Sequence, residues 1–374
     1  MNMQHENPCM RDFVAYRIRY VTHPMSGDKW CVYPTYDYTH CIVDSIENIT
    51  HSLCTLEFEI RRESYFQLLK DLDIYKPYVW EYSRLNISNT VLSKRKIEAL
   101  VNSGAVHGWN DPRLLTLEGL RCRGYTPSMI NDFCAHLGVA RKGNENITSI
   151  KLLEKFARTE CDRLNPRTFG VIDPVLLEIV NLEDVKEKKI QAALFPADPS
   201  KGTQTYNLTK NVYIDAEDFS ETGKDKFFGL SPNQPVCLRY GPVIKLVSIE
   251  KKDDGSIDRV KVQVLPDYSE KLKGYIHWVS KENSMTVTCK LFSLLFTEEN
   301  VGKAGDKWRD LLNPNSLVTK TNVKMWNLHK NAKVDDRFQF ERVGYFRINE
   351  NSDPKKGKFE LNRIVELKES KDKS

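Results

Sequence analysis

The stretch "VCLRYGPVIKLVSIEKKDDGSIDRVKVQVLP", residues 236–266, alternates apolar and polar side chains on both sides of an Asp-Asp-Gly-Ser turn. Period-two alternation places successive side chains on opposite faces, so the stretch predicts two strands joined by a hairpin. The same pattern returns in "GYIHWVS" (274–280), "MTVTCKLFSLLF" (285–296), "RFQFERVGYFRIN" (337–349) and "FELNRIVEL" (359–367). After about residue 170 the chain keeps this period for roughly 200 residues, more than one small sheet needs, so two β-barrels are expected. The tail "KESKDKS" (368–374) is too charged to pack and is expected to be disordered.

Upstream the grammar is different. Residues 91–165 read as helices. Ile97, Leu100 and Val101 share a face that Gly104 ends. In "NDPRLLTLEGLRCRG" Asp111 is the expected N-cap, Pro112 the first turn and Gly124 the stop. "TPSMINDFCAHLG" repeats this with Thr126, Pro127 and Gly138, its apolar face made by Ile130, Phe133 and Leu137. "SIKLLEKFARTECDRLN" (149–165) makes a further helix closed by Pro166. Earlier, "RRESYFQLLKDLDI" (61–74) has helical spacing, with Tyr65, Leu68, Leu69 and Leu72 on one face. "SIENITHSLCTLEF" (45–58) reads as helix or buried loop, and residues 1–34 as strands around an "SGDK" turn.

The 374 residues suffice for two or three domains. A net charge of +5 is compatible with a polyanionic partner without requiring one. Nine scattered cysteines with no C-x-x-C pair read as reduced thiols. No apolar run approaches the length of a membrane span, and the N-terminus lacks the apolar core of a signal peptide, so a soluble, cytoplasmic protein is expected.

Neither G-x-G-x-x-G nor a P-loop lysine motif is present, which removes the common nucleotide cradles. His40, Cys41, His51 and Cys54 fit no standard zinc spacing and read as core or substrate-site residues, so no metal site is assigned. "LRCRGYTPSMINDFCAHLG" has the layout of a helix-turn-helix, but its second helix carries Asp132 and little positive charge. Structural packing is the better reading, and no DNA partner is assigned. Basic and aromatic residues interleave in "LRYGPVIK", "KGYIHWVS" and "QFERVGYFR", a mix suited to single-stranded RNA or to a solvated barrel face. "LSKRK" (92–96) sets three cations at a helix start, where the macrodipole is positive. A solvated helix start and an anion site at the helix N-terminus both account for it.

The surrounding residues give that stretch a context. "YPTYDYTHCIVDSIENITHSLCTLEF" (33–58), "EYSRLNISNTVLSKRKI" (81–97) and "GWNDPRLLTLEGLRCRGYTPSMINDFCAHLGV" (108–139) resemble glutaminyl-tRNA synthetase, a class I aminoacyl-tRNA synthetase. "LNPRTFGVIDPV" (164–175), "GYIHWVS" and "FQFERVGYF" (338–346) continue the resemblance. "VLSKRKI" stands where that family has its Lys-Met-Ser-Lys-Ser-type loop. The glutamyl type is similar at the β-barrel end, but it lacks the His-Cys pair of "DYTHC" and usually has Arg where Cys54 stands. Glutamine is therefore favoured over glutamate.

The resemblance implies an α/β plus all-β protein. Residues 1–33 would end an acceptor-stem-binding insertion, 34–96 form the second half of a Rossmann catalytic domain, 97–165 a helical connecting subdomain and 166–374 two anticodon-binding β-barrels. It implies ATP-dependent attachment of glutamine to its tRNA through glutaminyl-adenylate, with ATP and Mg²⁺. Lys94 and Ser93 would serve catalysis. Thr55, Arg84, Leu85 and Leu92 would join them at ATP, and Tyr36, His40 and Ser52 would select glutamine. Arg167, Arg239, Gln339 and Arg342 would contact the anticodon, and the loop 141–148 another part of the tRNA. "KDKFFGLSPNQPV" departs from the family's usual basic pair, and Lys224 and Lys226 lie nearby without an assigned role.

No His-x-Gly-His motif occurs in the chain, and its start resembles the end of the insertion. The resemblance thus implies a C-terminal part: a fragment, a split gene product or an incomplete gene model. Its partners would be glutamine, glutamine tRNA, and a missing N-terminal half or a multi-synthetase assembly, with no membrane. Alone, such a chain is expected to bind tRNA without making adenylate. A non-catalytic anticodon-binding fragment and a glutamyl-tRNA synthetase are the alternatives.

Overall fold

A computed structural model of the chain describes residues 4–11, 13–141, 146–223, 227–327 and 332–368. Residues 142–145 of the 141–148 loop, Lys224, Lys226 and residues 369–374 of the tail lie outside the described residues. The chain divides into two compact units, residues 1–86 with 135–148, and residues 87–134 with 149–374. No helix among the described residues is long and apolar enough to cross a membrane.

In the first unit the strand Tyr16–Ile18 pairs antiparallel with Val32–Pro34. Helix α1 (Tyr36–Ile46) follows, then the strand His51–Thr55, helix α2 (Arg62–Asp71) and the strand Tyr78–Tyr82. His51–Thr55 and Tyr78–Tyr82 form a parallel pair. The stretch expected to be helix or buried loop, residues 45–58, thus holds the end of α1, a turn, the strand His51–Thr55 and a 3-10 segment from Leu56. Ser52 and Cys54 alternate with exposed His51 and Leu53, a two-residue period hidden by the short length of the run. On α2, Tyr65 and Leu69 are buried as expected, with Leu68 packed against them. Leu72, expected on that face, follows the helix end and is exposed.

The second unit opens with α3 (Lys94–Asn102), α4 (Leu117–Arg123), α5 (Pro127–Leu137, whose last residues belong to the first unit) and α6 (Ile150–Leu164). The expected stops at Gly104 and Gly124 stand at positive φ. Asp111 is not the cap of α4. Thr116 is, its hydroxyl accepting from Gly119 N–H at 2.9 Å. Asp111 is instead buried and accepts from His107 N–H and from the Arg113 backbone and guanidinium. Burial would raise its pKa, but these donors, Arg113 above all, hold it below the usual carboxylate range.

Two seven-stranded sheets complete the unit. The first runs Tyr275–Ile276, Val236–Leu238, Val243–Lys251, Ile257–Val264, Pro174–Ile179, Asn211–Asp215, Trp278–Ser280. Its two edge strands are separated in sequence by His277 alone. The second runs Arg167–Thr168, Arg337–Phe340, Gly344–Ile348, Glu360–Glu366, Ser284–Phe292, Leu317–Trp326, Gly170–Val171. Its edges are separated by Phe169 alone. One thread of chain therefore supplies both edges of each sheet, and each sheet must curl until its edges meet. The second closure needs Gly170, because a Cβ there would lie 2.3 Å from the Phe340 ring. Phe169, at the break in that thread, packs into the core of the first sheet, stacked on Tyr206 at 4.4 Å.

The expected strand 285–296 stops early, at Phe292. Residues 293–312 leave the sheet, and Phe296, Val301 and Trp308 pack against Ile97 and Leu100 of α3. The turn before α3 is tied to the same segment, with Asn89 donating to the Glu299 and Phe296 carbonyls.

Helix α4 is held to the second sheet by Arg347. Its side chain is fully buried and donates to the carbonyl of Cys122 in the last turn of α4 at 2.9 Å. It also pairs with Asp335 and with Glu350 at 2.8 Å. Asn362 donates to the same Cys122 carbonyl at 2.7 Å, and Arg337 to that of Gly124 at 3.2 Å. Three side chains of one sheet thus satisfy carbonyls that a helix end leaves open. Arg347→Met is expected to cost about 2–4 kcal/mol, since buried charge-assisted bonds are lost while the half-exposed carboxylates can hydrate. Urea unfolding of the variant beside the parent chain measures this, and an unchanged midpoint would refute the structural role.

Candidate functional sites

The first unit gathers the residues expected at the amino-acid pocket. Tyr36, at the start of α1, stacks on His40 one turn on at 5.1 Å and leans on Phe58 at 4.7 Å. The His40 Nε2 lies 3.2 Å from the Ser52 hydroxyl and 3.1 Å from Asp44, and Ser52 donates to Asp44 at 2.6 Å. Ser52 is thus committed within the protein, whereas Tyr36 is half-exposed. Tyr65 meets the edge of His40, and burial raises its phenol to about 12, so it stays a neutral donor. The pocket's two arginines are both engaged. Arg61 pairs with Asp37, and Arg62 pairs with buried Glu81. Burial and Glu81 raise the Cys54 thiol, keeping it uncharged. The enclosed space is about 20 Å³. That holds about one water, so a ligand side chain would lie over it rather than inside.

Of the residues expected at ATP, Thr55 ends the strand His51–Thr55 and Arg84 and Leu85 are exposed, all in the first unit. Leu92, Ser93 and Lys94 are exposed in the second. Ser93 is the N-cap of α3 and its hydroxyl makes no cap bond, while Lys94 is the first helical residue. The amides of that first turn meet the anion preference of a helix N-terminus with a lysine beside them. Among the described residues no group of three or more His, Cys, Asp or Glu could hold a metal. Magnesium carried on ATP phosphates and water needs no such cluster.

The second unit brings Arg167, Arg239, Gln339 and Arg342 to the wall of one cavity of about 910 Å³. Arg167 and Gln339 are register partners on parallel strands, and Arg167 donates to the Gln339 amide oxygen at 3.1 Å. Arg239 pairs with buried Glu341 and lies over the Tyr240 ring. Arg342, at φ 68°, makes a two-pronged pair with Asp218 at 2.6 and 2.8 Å. Its guanidinium also donates to His277 Nδ1 at 3.1 Å. The carboxylates holding these arginines were not foreseen. Glu341 adjoins Arg342 in "FQFER", a signal that could have been used, but nothing local marks Asp218. Arg141, the described start of the 141–148 loop, pairs with Glu59 and lies 5.2 Å from the Trp80 ring centre.

His277 is buried where the first sheet closes. Burial lowers its pKa from 6.5 to about 4, with Asp218 opposing and Arg342 reinforcing the shift. Between these values the unfolded chain binds a proton that the folded chain does not, so stability falls as pH falls from 6.5 towards 4 and is full above that window. The contribution is up to about 3 kcal/mol. Unfolding free energies across this pH range should show a shallower slope in His277→Gln than in the parent, and equal slopes would refute the assignment.

Comparison with known families fits this geometry. Residues 1–163 match the model of tRNA synthetases class I (E and Q), catalytic domain. Residues 165–265 and 275–349 match two models of the anti-codon binding domain of the same group. The chain belongs to the class I tRNA synthetases of the E and Q group. It is 46% identical over its whole length to a probable glutamine–tRNA ligase of Dictyostelium discoideum, covering 48% of that protein. It is 44% identical over 99% of its length to a cytoplasmic glutamine–tRNA ligase of Arabidopsis thaliana, covering 47%. With a glutamine–tRNA ligase of Cupriavidus taiwanensis the identity is 40% over 99% of the chain and 65% of the relative. The chain thus spans about half the length of the eukaryotic relatives it matches.

Proposed function

We propose that the chain works in the ATP-dependent attachment of glutamine to its tRNA, as the cytoplasmic relative's name suggests. Residues 1–33 are read as the end of an acceptor-stem-binding insertion, 34–96 as the second half of a Rossmann catalytic domain, 97–165 as a helical connector and 166–374 as two anticodon-binding barrels. The observation that carries the substrate reading is the charge state of the Tyr36 pocket. Both arginines lining it are already paired with carboxylates, so a substrate carboxylate side chain would find no free guanidinium. A neutral amide suits such a surface. It can donate to the Tyr36 oxygen or to a water in the enclosed space, whereas a carboxylate would set lone pairs against lone pairs. His40, held by Ser52 and Asp44, fixes the Tyr36 ring from below.

Lys94 and Ser93 are proposed to serve the phosphates of ATP, with Leu92 beside them, and Thr55, Arg84 and Leu85 the adenosine end. Mg²⁺ would arrive with the nucleotide and neutralise its charge. Preorganised positive charge counts most where negative charge develops, which suits the exposed first turn of α3.

Arg167, Arg239, Gln339 and Arg342 are proposed to read anticodon bases and their phosphates. Unstacked bases expose edges that planar, directed donors can match. Glu341 and Asp218 keep two of these guanidiniums oriented beforehand, which reduces the ordering cost of binding.

Two measurements test the reading. In aminoacylation by the assembled enzyme, with glutamine and glutamate in parallel, Tyr36→Phe should narrow the preference for glutamine by about tenfold, the worth of one directed hydrogen bond. Unchanged discrimination would remove Tyr36 from the selecting role, and charging with glutamate instead would overturn the glutamine assignment. In tRNA binding followed by fluorescence, Arg167→Ala and Gln339→Ala should each weaken cognate tRNA by about 1–3 kcal/mol. Equal affinity in parent and variants would sink the anticodon assignment.

A further inference from the structure

Arg342 projects from the turn between Arg337–Phe340 and Gly344–Ile348 of the second sheet. Among the described residues its guanidinium nevertheless finds its partners beside the first sheet, at Asp218 and His277. Its φ of 68° is a costly conformation for a residue with a Cβ, and such strain persists only where the surroundings over-determine it.

A guanidinium carries five N–H groups in a fixed plane. One Nη1–H goes to Asp218 Oδ2 at 2.6 Å and the other to His277 Nδ1 at 3.1 Å, and one Nη2–H goes to Asp218 Oδ1 at 2.8 Å. The pair left over is Nε–H and the outer Nη2–H. They lie on one edge of the plane and point the same way, a fork for neighbouring acceptors. Asp218 alone does not decide which edge stays open, because a carboxylate can take a guanidinium by its Nη1–Nη2 end or by its Nε–Nη2 side. His277 makes the difference. With the side edge turned to Asp218, Nδ1 would lose its donor and become a buried, unsatisfied acceptor.

His277 can do this because it is both fixed and neutral. Its backbone is the one-residue link between the edge strands Tyr275–Ile276 and Trp278–Ser280. Its side chain is only 4% exposed. Asp215 and Asp218 face it from the strand Asn211–Asp215 and the turn after it, Arg239 from the end of Val236–Leu238, and Arg342 from the second sheet. Burial above all, helped by the two arginines, keeps the ring unprotonated against Asp218 and the Gly170 carbonyl. A neutral ring that accepts at Nδ1 carries its proton on Nε2.

We propose that His277 is a positioning residue for tRNA recognition: by accepting from Nη1 it holds Arg342 end-on against Asp218 and presents the Nε–Nη2 fork to paired acceptors on the RNA. The inference rests on the anticodon reading of Arg342 given above. His277 itself has no need to touch the RNA.

The test is fluorescence titration of glutamine tRNA with the full chain and its variants, at a temperature below the melting point of each. His277→Leu removes the acceptor and should weaken binding by about tenfold, the worth of one hydrogen bond to a charged group. His277→Asn keeps an acceptor oxygen near the place of Nδ1 and should recover most of that loss, although both variants lose the packing of the ring. In an Arg342→Ala background His277→Leu should cost nothing further, because the group it positions is gone. A purely structural role would weaken binding equally in the Leu and Asn variants, or equally with and without Arg342, and either result overturns the proposal. Parental affinity in His277→Leu, beside weak binding by Arg342→Ala, overturns it as well. Parental affinity in Arg342→Ala would overturn the anticodon reading of Arg342 and this inference with it.

Discussion

The second unit depends on one buried guanidinium. Arg347 reaches from the second sheet to the Cys122 carbonyl and is itself neutralised by Asp335 and Glu350. A helix end turned towards a sheet would otherwise bury carbonyls without donors, a cost of several kilocalories per mole. The bond fixes α4 so closely that its stop must be glycine, since a Cβ at Gly124 would come within 2.7 Å of Ile364. One buried charge thus sets helix and turn together.

Elsewhere charge is held in pairs that set an arginine at a cavity or pocket wall. Arg239 rests on Glu341 and Arg342 on Asp218 at the large cavity, as Arg61 rests on Asp37 at the small pocket. In each pair the guanidinium is about a third exposed, while at Glu341 and Asp218 the carboxylate beneath it is buried, so the pair stays closed. Such a pair keeps a long side chain from wandering, which lowers the entropy lost on binding.

Much of the fold was legible from local patterns. The hairpin at Asp254-Gly255, the stops at Gly104 and Gly124, and the buried faces of α2 and α3 follow from period and turn chemistry. The readings that failed did so where a long-range partner outweighs the local signal. Asp111 looks like a cap, but Arg113 and the His107 amide draw it into a turn, leaving the cap to Thr116. Leu295 and Phe296 continue the expected strand's apolar pattern, yet they pack with Ile97 and Leu100 of α3, so the strand stops at Phe292. His51–Thr55 was too short for its alternation to stand out.

At the candidate sites the sequence determined which side chains are available. Tyr36 and His40 one helical turn apart, Ser93 before Lys94 at a helix start, and arginines set among aromatics are all visible without coordinates. Spacing within a single element fixes such relations, because helix and strand periods are set by the backbone. Only the tertiary structure decided which charge pairs with which. The pairing of Arg342 with Asp218 joins residues more than a hundred positions apart, and the sharing of Glu154 between Arg123 and Arg158 joins two helices. Electrostatic balance depends on distance and burial in space, and sequence order carries neither.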